Sequence, residues 1–374
     1  MAEHRPLLVA YKAPINRLDG GNLRLWHLFG GGQADVICFG RPASEPVRGD
    51  ILDPLPWRSV EVLKARVDAW PSIVARAVAE RRPSHIVVHV HARLDHIQWL
   101  RRIGMPFTID YTDCYSLHYG RRLRSLSKWR RPISWTAALI RHRQWLAAER
   151  VMRRAAARTV LSGEADREAF AAGSADAVAI SNGTDWTLQP PIYEVRDRAR
   201  VLAFHGNIAW RPNFSAIEFV CRQVLPLVRR EIADAEFQVA GGPLLPQTRP
   251  LAGLPGVKLL GYVEDLRQWF AGCDVYAMPM VEGSGVKNKL LEAMAAGFPV
   301  VANPRGAEGL DPAGRALLEI GEDAAGMARR IVGLLRDPAR RAASSAAIRA
   351  HAVAHYGWET YARKYRDSLV PLSA

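Results

Sequence analysis

Lysines, glutamates and glycines crowd into one stretch of this chain, Met278–Gly309, MPMVEGSGVKNKLLEAMAAGFPVVANPRGAEG. An apolar strand closes at Met278-Pro279, a turn with Gly283 and Gly285 follows, and a helix opens near Lys287 with Lys289 in its first turn. Glycines let backbone amides approach a ligand closely, and the dipole and free amides of a helix N-terminus favour negative charge. Lys287 and Lys289 add point charges suited to a diphosphate. Glu292, about one turn further, offers acceptor oxygens for ribose hydroxyls. Gly297 ends the helix, and Phe298-Pro299-Val300-Val301 begins the next strand. Further candidates for chemistry lie in the first half of the chain. His89 and His91 alternate along one strand, with His91 the better placed to reach a ligand. Asp110 and Asp113 close another strand, and Asp19-Gly20-Gly21-Asn22 follows the first.

Such groups need a scaffold that gathers loops at strand ends. At 374 residues the chain exceeds what one core usually serves, so two domains are expected. Short apolar runs alternate with amphipathic stretches, the pattern of βα units around parallel sheets. Strands are expected at Leu7–Ala10, Asp35–Phe39, Ile86–Val90, Phe107–Tyr111, Thr159–Leu161 and Ala177–Ile180. A second series reads Arg200–His205, Glu236–Val239, Val257–Leu260, Val275–Met278 and Pro299–Ala302. Helical spacing fills the gaps, as in Ser59–Arg81, Phe214–Glu231, Lys289–Ala296 and Ala324–Arg336. The Pro-Pro and charge of Thr187–Arg200 read as a linker, giving an N-terminal domain over 1–186 and a C-terminal domain over 187–355. Two such α/β domains would place ligands in a cleft at the carboxyl ends of their strands.

The run from Gly283 to Leu310 closely resembles the donor-binding motif of GT-B glycosyltransferases of the family four type, the group 1 glycosyl transferases. Those enzymes read G-x-G-[TV]-[RK]-x-K-[IL]-LEA-x-A-x-G-x-PVV followed by G-x-EGL. Supporting likenesses are Phe204-His205-Gly206-Asn207 with Trp210-Arg211-Pro212-Asn213, Ile180-Ser181-Asn182-Gly183-Thr184-Asp185, Leu260-Gly261-Tyr262-Val263-Glu264-Asp265, and Ala271-Gly272-Cys273-Asp274-Val275. Tyr356-Gly357-Trp358 resembles the start of the final helix, here 356–374, that packs back on the N-terminal domain.

The resemblance implies an α/β GT-B architecture, two Rossmann-like doubly wound domains facing a central cleft. It implies transfer of a sugar from a nucleotide-diphosphate sugar, UDP- or GDP-linked, to a glycan or polyprenyl-linked acceptor in cell-surface polysaccharide assembly. No bound cofactor is implied, and no metal-ligand spacing is visible. The implied donor-binding residues are Gly21, Gly206, Asn207, Arg211, Val263, Gly283, Ser284, Gly285, Val286, Lys287, Lys289 and Glu292, with Glu308 in a loop that can touch the sugar.

Stereochemistry stays open. Many retaining members carry two glutamates with seven residues between them; counting back from Glu292, that position is Ser284, and Glu282 stands two residues earlier. Asp113 at a strand end instead resembles the general base of inverting enzymes such as exopolysaccharide glucuronosyltransferases. An inverting transfer needs a carboxylate to deprotonate the acceptor hydroxyl. Asp113, Glu282 and His91 are therefore the catalytic candidates.

The composition is that of a globular protein, 49% hydrophobic and 24% charged, but the net charge is +14. Most of the excess is local: residues 121–158 hold twelve Lys and Arg against one acid, Glu149, with Trp129, Trp135 and Trp145 interleaved. Arg143, Arg150, Arg154 and Arg158 fall on one helical face. That composition suits docking on an anionic membrane, here the inner face of the plasma membrane. Nucleic-acid binding is the rival reading of the charge, without a reader motif to support it. A sugar-nucleotide epimerase of the same architecture is the other alternative, and such enzymes lack the LEA-x-A-x-G-x-PVV run.

Cys38, Cys114, Cys221 and Cys273 are far apart and read as single buried thiols of a reducing cytosol. The N-terminus lacks the apolar core of a signal peptide, and no window is long enough to span a bilayer. A cytoplasmic protein peripherally attached to the membrane is expected.

Overall fold

The structure, a computed structural model, describes residues 5–10, 20–29, 34–38, 58–62, 70–89, 94–102, 104–129, 132–171, 176–283 and 285–369. The chain forms two compact units, Met1–Asn182 with Trp358–Ala374, and Gly183–Gly357. The unit boundaries fall at 182/183 and 357/358, against the 186/187 and 355/356 expected from the sequence.

In unit 1 the strands are β1 (Pro6–Ala10), β2 (Asp35–Cys38), β3 (Ser59–Val62), β4 (His85–His89), β5 (Thr108–Thr112), β6 (Arg158–Leu161) and β7 (Ala177–Ala179). Its helices are α1 (Gly20–Phe29), α2 (Trp70–Arg81), α3 (Leu94–Arg102), α4 (Tyr115–Ser125), α5 (Pro132–Ala155) and α6 (Glu164–Ala171). Unit 2 contains β8 (Val201–His205), β9 (Glu236–Ala240), β10 (Val257–Gly261), β11 (Val275–Met278), β12 (Val300–Ala302) and β13 (Glu319–Ile320). Its helices are α7 (Arg211–Phe219), α8 (Leu225–Glu231), α9 (Arg249–Ala252), α10 (Leu266–Ala271), α11 (Asn288–Ala295), α12 (Pro312–Ala316), α13 (Ala324–Arg336) and α14 (Pro338–His355). The final helix, α15 (Trp358–Ser368), belongs to unit 1.

Both sheets are parallel and doubly wound. The order is β3-β2-β1-β4-β5-β6-β7 in unit 1 and β10-β9-β8-β11-β12-β13 in unit 2. In its own numbering the second sheet runs 3-2-1-4-5-6 and the first runs the same with a seventh strand added, the order reversing between β1 and β4 in one and between β8 and β11 in the other. Ligands of open α/β sheets bind outside the carboxyl ends of the strands at that reversal. Strands covered on both faces read as unbroken apolar runs, and β8, VLAFH, is buried at every residue.

The helix expected over 59–81 is a correction. Ser59–Val62 is an edge strand paired in parallel with β2, and the helix occupies only Trp70–Arg81. The alternating, β-branched SVEV suits an edge position, where one side of the strand has no partner. The basic helix is corrected likewise: α5 ends at Ala155, and Arg158 opens β6 instead of extending the helical face.

Two aromatic contacts show how α15 is held. Trp358 stacks on His27 of α1 with ring centroids 4.5 Å apart, and Tyr365 meets Phe29 edge-on at 5.2 Å. Tyr365 is fully buried in the core that also contains Leu25, Leu28 and Val36.

Candidate functional site

At the order reversal of unit 2, β8 and β11 end in backbone packed too closely for side chains. A Cβ on Gly241 would lie 2.0 Å from the Gly206 carbonyl oxygen, and one on Gly306 would lie 2.0 Å from that of Met278. Gly206 itself has φ 138°, and a Cβ there would meet Asn213 Nδ2 at 2.9 Å and Lys289 Cε at 3.0 Å. Glycine is required at these places because two backbones, or a backbone and the lysine, occupy the space.

Over this floor stands α11, entered through a loop with Gly283 at φ 103° and Gly285 at φ 69°. Lys289 and Glu292, three residues apart, share the helix face turned toward β8. Lys289 Nζ donates to Asn213 Oδ1 at 2.9 Å and lies 5.6 and 5.7 Å from the ring centroids of Phe204 and Trp210. Burial lowers the Lys289 ammonium to about 8, against the opposing pull of the Glu292 carboxylate. Glu292 Oε2 lies 2.6 Å from His205 Nε2, and His205 Nδ1 lies 3.0 Å from the Tyr276 hydroxyl.

Lys287 behaves differently from its neighbour. Its side chain is buried, and Nζ donates to the carbonyl oxygens of Arg305 at 2.9 Å and Glu308 at 3.4 Å. Asn303 Nδ2 donates to the Met280 carbonyl at 2.8 Å, and Arg305 donates to that of Val281. Together these bonds lace the loop after β12 to the glycine loop after β11. Lys287 thus fixes the shape of the glycine loop, while Lys289 is a cation facing the strand ends.

Glu282 is held by Arg211 in a bidentate pair, with Nε to Oε2 at 3.1 Å and Nη2 to Oε1 at 3.0 Å, and Ser215 Oγ adds a 3.3 Å bond. Asn207 shapes its own turn: Oδ1 accepts from the Ala209 amide at 2.9 Å, and its carbonyl accepts from Asn213 Nδ2 at 2.8 Å. Val263 is half-buried in the turn after β10, beside Tyr262, which is 79% exposed. Val286 is half-buried between Gly285 and Lys287. Ser284 lies outside the described residues. The fold thus gathers Gly206, Asn207, Arg211, Glu282, Lys289 and Glu292 around the carboxyl ends of β8 and β11.

In unit 1, Gly21 lies in the first turn of α1, and His91 lies outside the described residues. His89 closes β4, where Nδ1 is 2.9 Å from Asp110 Oδ2. Arg24 of α1 is fully buried and donates from Nε to Asp110 Oδ1 at 3.0 Å and from Nη1 to Asn182 Oδ1 at 2.7 Å. Burial alone would raise the Asp110 carboxyl, but Arg24 and His89 outweigh it and hold the group below its ordinary range.

Asp113 follows the end of β5, and its Oδ1 accepts a 3.4 Å bond from Ser162 Oγ. The turn before it is strained, with the β-branched Thr112 at φ 63°. Buried carboxylates from other helices secure that turn. Asp166 Oδ1 accepts from the Cys114 amide at 2.8 Å, while Glu149 Oε1 accepts from the Ser116 amide and from the Tyr111 hydroxyl, each at 2.9 Å. Glu149 caps α4 from a distance, since the Cys114 side chain at its N-cap provides no cap to a helix amide.

Sequence reasoning quoted His205 without assigning it a role, and passed over Tyr276, Arg24 and the capping function of Glu149. The available signal was a polar residue ending an otherwise apolar strand directly before a glycine.

Comparison with known proteins follows the same division of the chain. Residues 199–337 match the family model described as Glycosyl transferases group 1. The chain is 35% identical over 162 residues to the GDP-mannose-dependent monoacylated alpha-(1-6)-phosphatidylinositol monomannoside mannosyltransferase of Corynebacterium glutamicum, covering 39% of this chain and 42% of that protein. It is 34% identical over 154 residues to the phosphatidyl-myo-inositol mannosyltransferase of Mycobacterium leprae, covering 38% and 40%. The chain therefore spans about two fifths of the length of the curated relatives it matches. Likeness of fold extends further. Anabaena HepE in complex with UDP aligns over 97% of this chain and 99% of its own, with a TM-score of 0.67 at 18% identity. WaaG, a glycosyltransferase involved in lipopolysaccharide biosynthesis, aligns over 97% and 98%, with a TM-score of 0.64 at 14% identity. The fold is the GT-B architecture, and the segment that resembles the group 1 glycosyl transferases, residues 199–337, lies within the second unit.

Proposed function

We propose that this protein transfers a sugar from a nucleoside-diphosphate sugar to a lipid-linked glycan acceptor. The observation that carries the reading is the pairing of Lys289 and Glu292 on one face of α11, over a glycine floor at the order reversal of unit 2. The amide-rich loop and Lys289 suit a diphosphate, and Glu292 suits ribose hydroxyls. Arg211, Asn207, Gly206 and the turn at Val263 of unit 2 form the rim around the donor; the role of Gly21 as a donor-binding residue rests on likeness of motif alone. A relative named for GDP-mannose and a neighbour bound to UDP support the donor class.

For the chemistry, Asp113 is the proposed base. It takes the acceptor proton as the acceptor oxygen attacks the anomeric carbon, and the bond from that carbon to the donor diphosphate breaks with inversion. The Lys289 ammonium and the loop amides stabilise the negative charge that grows on the departing diphosphate. The strained turn at Thr112 supports this role, because such strain collects at working sites. Glu282 supports the same assignment from the other side, since its carboxylate is occupied by Arg211 and Ser215. His91 remains a candidate for touching the acceptor.

The acceptor class rests on the surface of unit 1. Along α4 and α5, Arg124, Arg141, Arg143, Arg150 and Arg154 are exposed, with Trp129 at 88% and Ile133 at 86% exposure. Lys128 Nζ lies 5.7 and 5.5 Å from the rings of Trp129 and Trp135. Trp145 instead faces inward and stacks on Tyr115 at 4.5 Å. Cations flanking exposed aromatic and aliphatic groups suit an anionic membrane at which the acceptor is held, the inner face of the plasma membrane. Among the described residues no helix is long and apolar enough to cross a membrane.

The deciding experiment is a panel of UDP- and GDP-sugars with lipid-linked acceptors, with the product anomer read by NMR for wild type and Asp113→Asn. An inverted product that disappears with Asp113→Asn is expected. A retained configuration, or near-normal turnover by the variant, removes Asp113 from the mechanism. Donor consumption without transfer removes the transferase reading. Sedimentation with phosphatidylglycerol but not phosphatidylcholine vesicles, lost in the triple variant Arg143→Glu, Arg150→Glu and Arg154→Glu, tests the membrane surface.

A further inference from the structure

His205 ends β8 directly before the Gly206 turn and is only 6% exposed. Its ring is fixed by edge contacts to Phe270 at 5.2 Å and Tyr276 at 5.6 Å. The two ring nitrogens have different partners, Tyr276 at Nδ1 and Glu292 at Nε2. Burial pushes the Tyr276 hydroxyl well above its ordinary range, so it stays a neutral partner of the ring. The Glu292 carboxylate oxygen accepts, so Nε2 carries the hydrogen that points at Oε2, while the Tyr276 hydroxyl pairs with Nδ1. That assignment of the ring proton follows from the bonding pattern.

The consequence falls on Glu292. An ionised carboxylate is an acceptor with about four lone-pair sites. His205 occupies Oε2 and leaves Oε1 for a ligand. Without that bond, the nearest competitor is Lys289, three residues earlier on the same helix face. A carboxylate closing on Lys289 would neutralise both of these charged groups.

We propose that His205 is a positioning residue for donor recognition. It donates Nε2–H to Glu292, keeps that carboxylate off Lys289, and aims Oε1 at the vicinal hydroxyls of the nucleotide ribose. Discrimination between ribo- and deoxyribonucleoside diphosphates is therefore set by a residue that does not touch the nucleotide. The proposal rests on the donor-site reading, in which Glu292 is the ribose acceptor.

Calorimetric titration of UDP and GDP, each beside its 2′-deoxy and 3′-deoxy form, tests the idea without knowledge of sugar or acceptor. The wild type should prefer the ribonucleotide by about tenfold or more, the range of a hydrogen bond to a charged group. His205→Leu should bring that preference to about threefold or less. His205→Gln, which retains an N–H donor of similar reach, should restore most of it, and Tyr276→Phe should fall between. A merely structural role would weaken all nucleotides alike and leave the ratio unchanged. Retention of the ratio in His205→Leu, while Glu292→Ala abolishes it, overturns the proposal and spares the donor reading. An unchanged ratio in Glu292→Ala, or no binding of either nucleotide by the wild type, overturns the donor reading and the proposal with it. If His205→Leu fails to fold by circular dichroism, an unchanged ratio in Tyr276→Phe is the overturning result.

Discussion

Replacing Lys289 with glutamine should stabilise the empty protein and impair nucleotide binding, two effects of opposite sign from one side chain. Burial holds the ammonium near 8 in place of 10.5. At about 1.4 kcal/mol per pH unit, keeping it charged in the fold costs about 3 kcal/mol. Cation–π attraction to Phe204 and Trp210 and the reach of solvent to a half-buried group offset more than half of this, leaving a net gain of about 1 kcal/mol for the neutral variant. Glutamine still offers an N–H to Asn213 Oδ1, which would otherwise be stranded among buried atoms. The unfolding midpoint of the free protein should therefore rise by about 2–4 °C.

The sign with pH follows from proton uptake. Because the folded value lies below the unfolded one, the unfolded chain binds the extra proton between about 8 and 10.5. Wild-type stability should rise across that window, so the advantage of Lys289→Gln is full below about pH 8 and fades as pH climbs toward 10.5. Binding moves the other way. Loss of a charged hydrogen bond to the diphosphate is worth about 1.5–3 kcal/mol, so UDP or GDP should bind the variant about ten- to a hundredfold more weakly. Wild-type affinity should fall as pH passes about 8, where free Lys289 loses its proton, and the variant should show no such step. Scanning calorimetry and nucleotide titration at several pH values read both effects. A variant less stable than wild type, or one that binds nucleotide equally well, would refute the assignment of Lys289 as a strained cation kept for the donor.

Three further perturbations test other joints. Glu149→Ala strands the buried Tyr111 hydroxyl and Ser116 amide and should lower the stability of unit 1 by about 2–4 kcal/mol in denaturant titration, with Glu149→Gln milder because an acceptor oxygen remains. Gly306→Ala puts a methyl 2.0 Å from the Met278 carbonyl oxygen, and should cost about 3 kcal/mol or more and weaken nucleotide binding as the loop shifts. Asp110→Asn leaves the Arg24 guanidinium buried without its counter-charge, at a cost of about 3–5 kcal/mol near neutral pH. Since the Asp110 carboxyl is held below 3.8 in the fold, its contribution is full above that value and is lost as pH falls through the folded one. The acid arm of the wild-type stability curve should therefore be steeper than that of Asp110→Asn.

Much of the scaffold was legible in the amino-acid sequence because parallel strands buried on both faces must be apolar throughout. The runs at β8 and β11 are bounded by glycine and proline and could be read with little ambiguity. Ser59–Val62 could not, because a four-residue edge strand with a glutamate in it lacks the uninterrupted apolar signature. The two-residue β13 left no periodicity at all. For the candidate site, the position of a residue along the chain was easier to read than the direction of its side chain. Lys287 and Lys289 look equivalent in sequence, yet one turns into a nest of carbonyls and the other onto the strand ends. Glu149 looked like a stray acid among arginines, and only the packing of α5 against the core shows it capping α4. His205 is invisible as a partner of Glu292 because 87 residues separate them.

The glycine contacts beneath the proposed donor site limit how this protein can diversify. A floor made of backbone atoms at Gly206, Gly241 and Gly306 presents the same peptide dipoles whatever mutations arise elsewhere. On the donor reading proposed above, selection for a new sugar acts on the margin, through Trp210, Arg211, Glu282 and Tyr262, where side chains rather than backbone line the surface. Descendants of this chain should differ in which sugar they accept long before they differ in how they hold its diphosphate.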